Sequence, residues 1–311
     1  MISMKNRIGI INFSDFRLGD ILINRNFYRS ISHFHKKELV IFSKNISPIE
    51  ETLKYDNLSF ISVKNDFRKG FRQIHDYVKF LNQIKKNNIK IIYVLDDNLR
   101  PILFSFFSGI NELYGFGFGI QKIFLTNKKH LKKKIIKKNK HYILENFLSI
   151  LNIPFSKETI KINKNINIPE NNNIFINLDS SSELKNWGDE NFFKLIKKIN
   201  SVKKKNFIIN CLNYKTKIFD YLNDENISFK DVSHLSISDL FNSINNCDFS
   251  ITNDTGPSHI SIALAKKTFI IFLENNKFNY KYSEFMYPII VDKEYKDINK
   301  VYNKIKGEVN I

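Results

Sequence analysis

The chain reads as an α/β protein of two doubly wound halves, each a parallel sheet with helices on both faces. Three observations point there. Short apolar runs alternate with helix-period segments through residues 7–151, and again through 173–273. A polar stretch from Ser156 to Asn173, with Pro154 just before it and Pro169 within it, separates the two series. The 311 residues, 42% hydrophobic and 14% aromatic, suffice for two cores of ordinary size. The expected divisions are a first domain over 1–155, a linker over 156–172 and a second domain over 173–311. The final helix is free to pack back on the first domain.

Taken in order, Arg7 to Phe13 is an apolar strand. Gly19 to His33 is a helix with Ile21, Leu22, Phe27 and Ile31 on one stripe. Strands follow at Glu38 to Phe42 and Leu58 to Val63. Phe71 to Lys86 has apolar positions at Phe71, Ile74, Val78 and Leu81, which predicts a helix, and Lys90 to Leu95 is the next strand. His141 to Leu151 closes the first half as a helix. In the second half, strands are predicted at Asn173 to Leu178, Asn206 to Cys211, Phe249 to Thr252 and Thr268 to Leu273. Helices are predicted at Asn191 to Ile199, Lys215 to Asn223 and, behind an Asp or Ser cap, Ser238 to Asn245.

Composition narrows the classes. Cys211 and Cys247 have no metal-ligand spacing and read as buried free thiols in a reducing compartment. Residues after Met1 run directly to the strand-like Ile8-Gly9-Ile10-Ile11, so no secretory leader is expected. No apolar run reaches membrane-spanning length. The nearest, Pro101 to Ile120, is broken by Asn111 and Glu112 and reads as a buried helix, turn and strand. A cytoplasmic protein is expected, soluble or attached to the inner face of a bacterial inner membrane. The net charge is +18 with a pI near 9.6. No nucleic-acid motif accompanies it, so no nucleic-acid partner is expected. Lysine is mixed with asparagine and isoleucine throughout, as in residues 128–140 and 163–173, the bias of an AT-rich genome. The tract from Lys128 to Lys140 reads as a solvated basic face, with an acceptor- or membrane-facing helix as the alternative.

The segment that carries chemistry is Asn253-Asp254-Thr255-Gly256-Pro257-Ser258-His259-Ile260. It follows an apolar strand and opens a helical pattern through Leu264. A tight turn that delivers Thr, Ser and His to a helix N-terminus is an anion site, because free N–H groups and the helix dipole converge there. Ser258 or Thr255 can instead serve as the N-cap alone. Asp20 follows Gly19 after the first strand, where it can act as a base toward a cleft or cap the next helix. No Asp-x-Asp pair follows a strand. Asp96-Asp97 does, but without a third ligand at suitable spacing, so no metal is expected.

The turn and its continuation, Ala263-Leu264-Ala265-Lys266-Lys267-Thr268, resemble the signature of the heptosyltransferase family of glycosyltransferases. Leu178-Asp179-Ser180-Ser181-Ser182-Glu183-Leu184-Lys185-Asn186-Trp187 is similar to that family's small-residue loop ending in Lys-x-Trp. Leu18-Gly19-Asp20-Ile21-Leu22 resembles its Leu-Gly-Asp-x-Leu turn, and Ser108-Gly109 to Gly115-Phe116 is a fainter match. Departures include Pro257, Asn253, an Ala-Lys-Lys-Thr turn without the usual glycine and proline, and no acidic residue in Leu212-Asn213-Tyr214-Lys215.

The resemblance implies a GT-B architecture, two Rossmann-like domains facing a central cleft. It implies an inverting, metal-independent transferase that needs no cofactor. Heptose or a related sugar would pass from a nucleotide-sugar donor, ADP-heptose or another, to an anionic lipopolysaccharide- or lipooligosaccharide-core acceptor. Asp20 is then the base. Lys185, Thr255, Gly256, Ser258 and His259 hold the donor diphosphate. Asp254 is a ligand for sugar hydroxyls or a brace for the turn. Ser180, Ser181 and Ser182 are candidate donor-loop groups, and Arg17 is a candidate acceptor contact. Trp187 is expected to pack under its loop. A non-catalytic binding protein that keeps the fold is the alternative.

Overall fold

The computed structural model describes residues 7–13, 18–43, 53, 59–62, 74–129, 140–161, 172–180, 183–211, 216–273, 281–292 and 297–309. The chain divides into two compact units, Met1–Lys157 and Glu158–Ile311. Among the described residues no helix is long and apolar enough to cross a membrane.

The first unit runs β1 (Arg7–Ile11), α1 (Leu18–His35), β2 (Leu39–Ser43), β3 (Ser59–Ser62), α2 (Ile74–Lys86), β4 (Ile89–Val94), α3 (Leu99–Phe106), β5 (Glu112–Gly115) and α4 (Lys140–Ile150). Two 3-10 turns, Gly119–Phe124 and Thr126–Lys129, follow β5. The sheet order is β3-β2-β1-β4-β5, parallel throughout. Leu39, Val40, Ile41 and Phe42 are all buried, as a strand covered on both faces requires. Gly9 admits its neighbours closely: a Cβ there would stand 3.2 Å from the side chains of both Ile89 and Ile92. On one face α1 meets α4, with Phe27 stacked on Phe147 at 5.9 Å.

The second unit runs β6 (Asn173–Asn177), α5 (Asp189–Val202), β7 (Asn206–Asn210), α6 (Ile218–Asp224), β8 (Phe229–Asp231), α7 (Ile237–Asn245), β9 (Phe249–Asn253), α8 (Gly256–Ala263), β10 (Lys267–Leu273), β11 (Met286–Val291) and α9 (Ile298–Lys306). Its order is β11-β10-β9-β6-β7-β8, again all parallel. Counted from β6, that is the arrangement of dinucleotide-binding doubly wound sheets. Helix α5 buries Phe192, Leu195, Ile196 and Ile199, one stripe at helical spacing. Helix α7 is capped by Ser236, whose hydroxyl accepts the Asp239 N–H at 3.1 Å.

Several expectations change. Strands β8 and β11 are absent from the sequence reading. The first is three residues long with Lys230 and Asp231 exposed, and the second carries Pro288. Both are edge strands, where such residues are tolerated. The expected linker is partly structured. Ser156 donates its N–H to Ser30 Oγ at 2.7 Å in the first unit, while Ile160 is buried and donates its N–H to Ala263 O at 2.6 Å in the second. The final helix α9 buries Val301, Tyr302 and Ile305 in the second core, with Lys198 of α5 over the Tyr302 ring at 4.6 Å. Within 101–120 the helix and strand form, but that stretch is not buried throughout: Phe106, Phe107 and Ile120 face solvent. Both cysteines are buried, and neither forms a disulfide.

Candidate functional site

In an open parallel sheet the ligand crevice lies beyond the carboxyl ends of the two strands where the order reverses. In the second unit those strands are β6 and β9. The loop from Leu178 to Trp187 leaves the first, and the Asp254–His259 turn leaves the second.

Three asparagines close three neighbouring strands: Asn177 ends β6, Asn210 ends β7 and Asn253 ends β9. Asn210 donates Nδ2–H to Asn177 Oδ1 at 2.6 Å. Asn177 in turn donates to Asp179 O at 2.8 Å and to Thr255 Oγ1 at 3.2 Å. Asn253, fully buried, donates to Leu178 O at 2.6 Å and accepts the Trp187 N–H at 3.1 Å. The loop after β6 is therefore laced to the turn after β9 by side-chain amides. Trp187 lies fully buried beneath, edge-on to Phe192 at 5.1 Å. Gly188 follows with φ 98°, a left-handed geometry suited to glycine, and starts α5.

Held in this way, Lys185 Nζ lies 2.5 Å from Asp254 Oδ2, an ion pair between the two loops at 26% and 15% side-chain exposure. The N-terminus of α8 begins one residue further on. Thr255 is its N-cap residue, yet the Thr255 side chain makes no capping bond. Its hydroxyl accepts from Asn177 and donates to Asn253 O at 3.4 Å. Ser258, buried, donates to Thr255 O at 2.6 Å. The simple capping alternative therefore fails for both hydroxyls. Pro257 stands in the first turn and brings no N–H of its own. The first-turn N–H groups point out of a helix end that no Thr255 or Ser258 oxygen caps, the arrangement that attracts anions. His259, one residue further into the helix, shares a hydrogen bond through Nδ1 with the Tyr282 hydroxyl, the rings stacked at 5.6 Å.

Of the residues expected here, Lys185, Asp254, Thr255, Gly256, Ser258 and His259 come together at the end of β9. Ser180 lies in the loop after β6, partly exposed. Ser181 and Ser182 lie outside the described residues.

In the first unit the strand order reverses between β1 and β4. Asp20 sits in the first turn of α1 behind β1, partly exposed, where the helix dipole favours a carboxylate. Arg17 lies outside the described residues. The Asp96-Asp97 pair after β4 splits: Asp96 is buried and its Oδ1 accepts the Asn98 N–H at 2.8 Å, while Asp97 is exposed. Among the described residues no group of three ligating side chains could hold a metal.

Sequence reasoning missed Asn177, Asn210 and Tyr282, and it named Asn253 without its lacing role. An asparagine that terminates an apolar strand is a usable signal, but asparagine is too common in this chain for it to stand out.

Comparison with known proteins fits this geometry. The chain resembles the E. coli heptosyltransferase WaaC bound to ADP-2-deoxy-2-fluoro heptose, with TM-score 0.68, 11% identity and coverage of 97% of this chain and 98% of that one. For the E. coli ADP-heptose lps heptosyltransferase II the values are 0.70, 12%, 97% and 98%. For a family 9 glycosyl transferase from Veillonella parvula DSM 2008 they are 0.67, 16%, 98% and 90%. At these identities the likeness speaks to the fold, which is that of these GT-B enzymes. No curated protein matches the sequence. The model of glycosyltransferase family 9 (heptosyltransferase), however, matches residues 77–282, and by that match the chain belongs to the glycosyltransferase family of the heptosyltransferases.

Proposed function

We propose that this glycosyltransferase moves heptose or a related sugar from a nucleotide-sugar donor to an anionic glycolipid of the lipopolysaccharide or lipooligosaccharide core, with inversion and without a metal. Asp20 takes the proton from the acceptor hydroxyl. The freed oxygen attacks the anomeric carbon, the bond from that carbon to the diphosphate oxygen breaks, and the nucleoside diphosphate leaves. Its growing charge is met by the first-turn N–H groups of α8, Ser258, His259 and the Lys185 ammonium, which serve where other transferases use a cation. Asp254 turns toward sugar hydroxyls once the diphosphate draws Lys185 away. Arg17 and the serines 180–182 are further contacts in this scheme, to acceptor and donor respectively.

The observation that carries the reading is the helix end of α8 with Lys185 held beside it at the reversal point of the second sheet. ADP-heptose is the first donor to try, since one similar solved enzyme is named for ADP-heptose and another was solved with ADP-2-deoxy-2-fluoro heptose. The acceptor places the reaction at the cytoplasmic face of the inner membrane.

The test is incubation with a panel of nucleotide sugars and truncated glycolipid cores, products read by mass spectrometry. A mass gain of one sugar, with release of the matching nucleoside diphosphate, is expected for one donor. No saturable binding of any nucleoside diphosphate by calorimetry would sink the proposal.

A further inference from the structure

The basic charge is not spread evenly. Residues 1–157 contain 28 Lys and Arg against 12 Asp and Glu, a net +16. Residues 158–311 contain 21 against 19, a net +2. An AT-rich coding bias raises lysine in both halves alike and does not explain why only the second balances it with acid. The uneven charge thus adds, for the first unit, to what the pervasive lysine bias says of the whole chain. Such asymmetry between halves is the mark of an anionic partner for one of them.

The same unit carries an exposed apolar surface beside its edge strand β5. In the 3-10 turn Gly119–Phe124, residues three apart share a face. Gln121, buried, and Phe124, half-buried, form the inner face, so Ile120 and Ile123 form an outer one, 62% and 68% exposed. Phe124 packs edge-on against Phe106 at 5.4 Å, and Phe106 against Phe107 at 5.5 Å. These two rings, at the end of α3, are 48% and 68% exposed. The surface is firmly built. Gln121 Oε1 accepts the Phe118 N–H at 3.0 Å, Asn127 Nδ2 donates to Gly115 O at 3.0 Å, and Thr126 Oγ1 accepts the Leu113 N–H at 2.8 Å. Exposed lysines punctuate it: Lys122 within the first turn, Lys128 and Lys129 in the next.

We infer that Phe106, Phe107, Ile120 and Ile123, with Lys122, Lys128 and Lys129, dock the first unit on an anionic lipid bilayer. Aliphatic and aromatic side chains enter the acyl boundary while the ammonium groups meet the headgroups, and neither alone gives stable attachment. Nucleic acid accounts for the charge but not for two paired isoleucines, which offer no stacking face. The inference adds a membrane-facing surface to the proposed glycolipid acceptor. Its test needs no sugar transfer, so either can fail without the other.

The test is co-sedimentation of the full chain with vesicles of phosphatidylglycerol and phosphatidylethanolamine, and with phosphatidylcholine vesicles as the neutral arm. The wild type is expected to pellet with the anionic vesicles and much less with the neutral ones. Phe107→Ser with Ile120→Ser and Ile123→Ser, all at exposed positions, is expected to lower partitioning roughly tenfold or more at fixed salt. Lys122→Glu with Lys128→Glu and Lys129→Glu is expected to weaken it most at low salt. Equal pelleting of the serine variant and the wild type would overturn the inference. So would a dimeric wild type that the serine substitutions turn monomeric, or RNA retention that they abolish while vesicle binding is kept.

Discussion

Lys185 and Asp254, sixty-nine residues apart in sequence, meet at 2.5 Å at the mouth of α8. The carboxylate occupies the lysine that an incoming diphosphate needs, so the two anions compete for one cation. Lys185→Met should weaken nucleoside diphosphate binding by about 1.5–3 kcal/mol, the range of a hydrogen bond to a charged group. Asp254→Asn should leave that binding unchanged or tighter while transfer falls. Calorimetry on both variants separates the effects, and weaker binding in Asp254→Asn would contradict the competition.

Asp20→Asn keeps the shape of the first turn of α1 and removes the base. Transfer should fall roughly 10²- to 10⁴-fold, with donor affinity little changed. Turnover assays paired with nucleotide titration decide it. Full activity would remove Asp20 from the mechanism.

Tyr282 shares a hydrogen bond with Nδ1 of His259; when the tyrosine hydroxyl is the donor, the proton of the neutral ring sits on Nε2. Tyr282→Phe is expected to raise the donor KM several-fold with a smaller effect on the melting temperature, because the ring stack survives. A fall in stability without a change in KM would mark the pair as structural.

Asn253→Ala would strand the Trp187 N–H and the Leu178 carbonyl inside the protein. A loss of about 1–3 kcal/mol per stranded group is expected, measured as a lower urea midpoint of the second unit, and with it a weaker grip on Lys185.

Stability should also fall on acidification. Burial lowers the pKa of both His35 and His141 below the ordinary histidine value, partly offset by Glu112 and Glu145. The unfolded chain therefore takes up these protons first, and folded-state stability declines as pH falls below about 6.5. Above that, both states are neutral and the two groups contribute no slope. Thermal melts from pH 7.5 to 5.5 should show the decline, and replacing both histidines by asparagine should flatten it.

The parts of this molecule that were legible from sequence are those with a repeating physical cause. Buried parallel strands such as Leu39–Phe42 and Phe249–Ile251 announce themselves as apolar runs, and α5 as a stripe at helical spacing. The end of β9 was legible because glycine, serine and histidine crowd one turn. What escaped depends on partners distant in sequence. Nothing local in Phe229–Asp231 marks a strand, because its reason for being one is the neighbouring β7. Tyr282 gains its role from His259, 23 residues earlier, and no period connects them. The exposure of Phe106 and Ile120 was hidden for the opposite reason: hydrophobicity says what a side chain prefers, not whether the fold satisfies it.

Every strand in both sheets runs parallel to its neighbours, and the central pair of the second sheet joins Ile174 to Phe249. Until the ribosome has released β9 and the helix after it, β6 lacks its β9 neighbour and Lys185 lacks Asp254. A nascent chain that stops short of residue 254 would thus have the lysine loop without the turn it leans on. Nucleotide capture should switch on late in synthesis and all at once, and such shortened chains should fail as competitors for donor rather than act as weak ones.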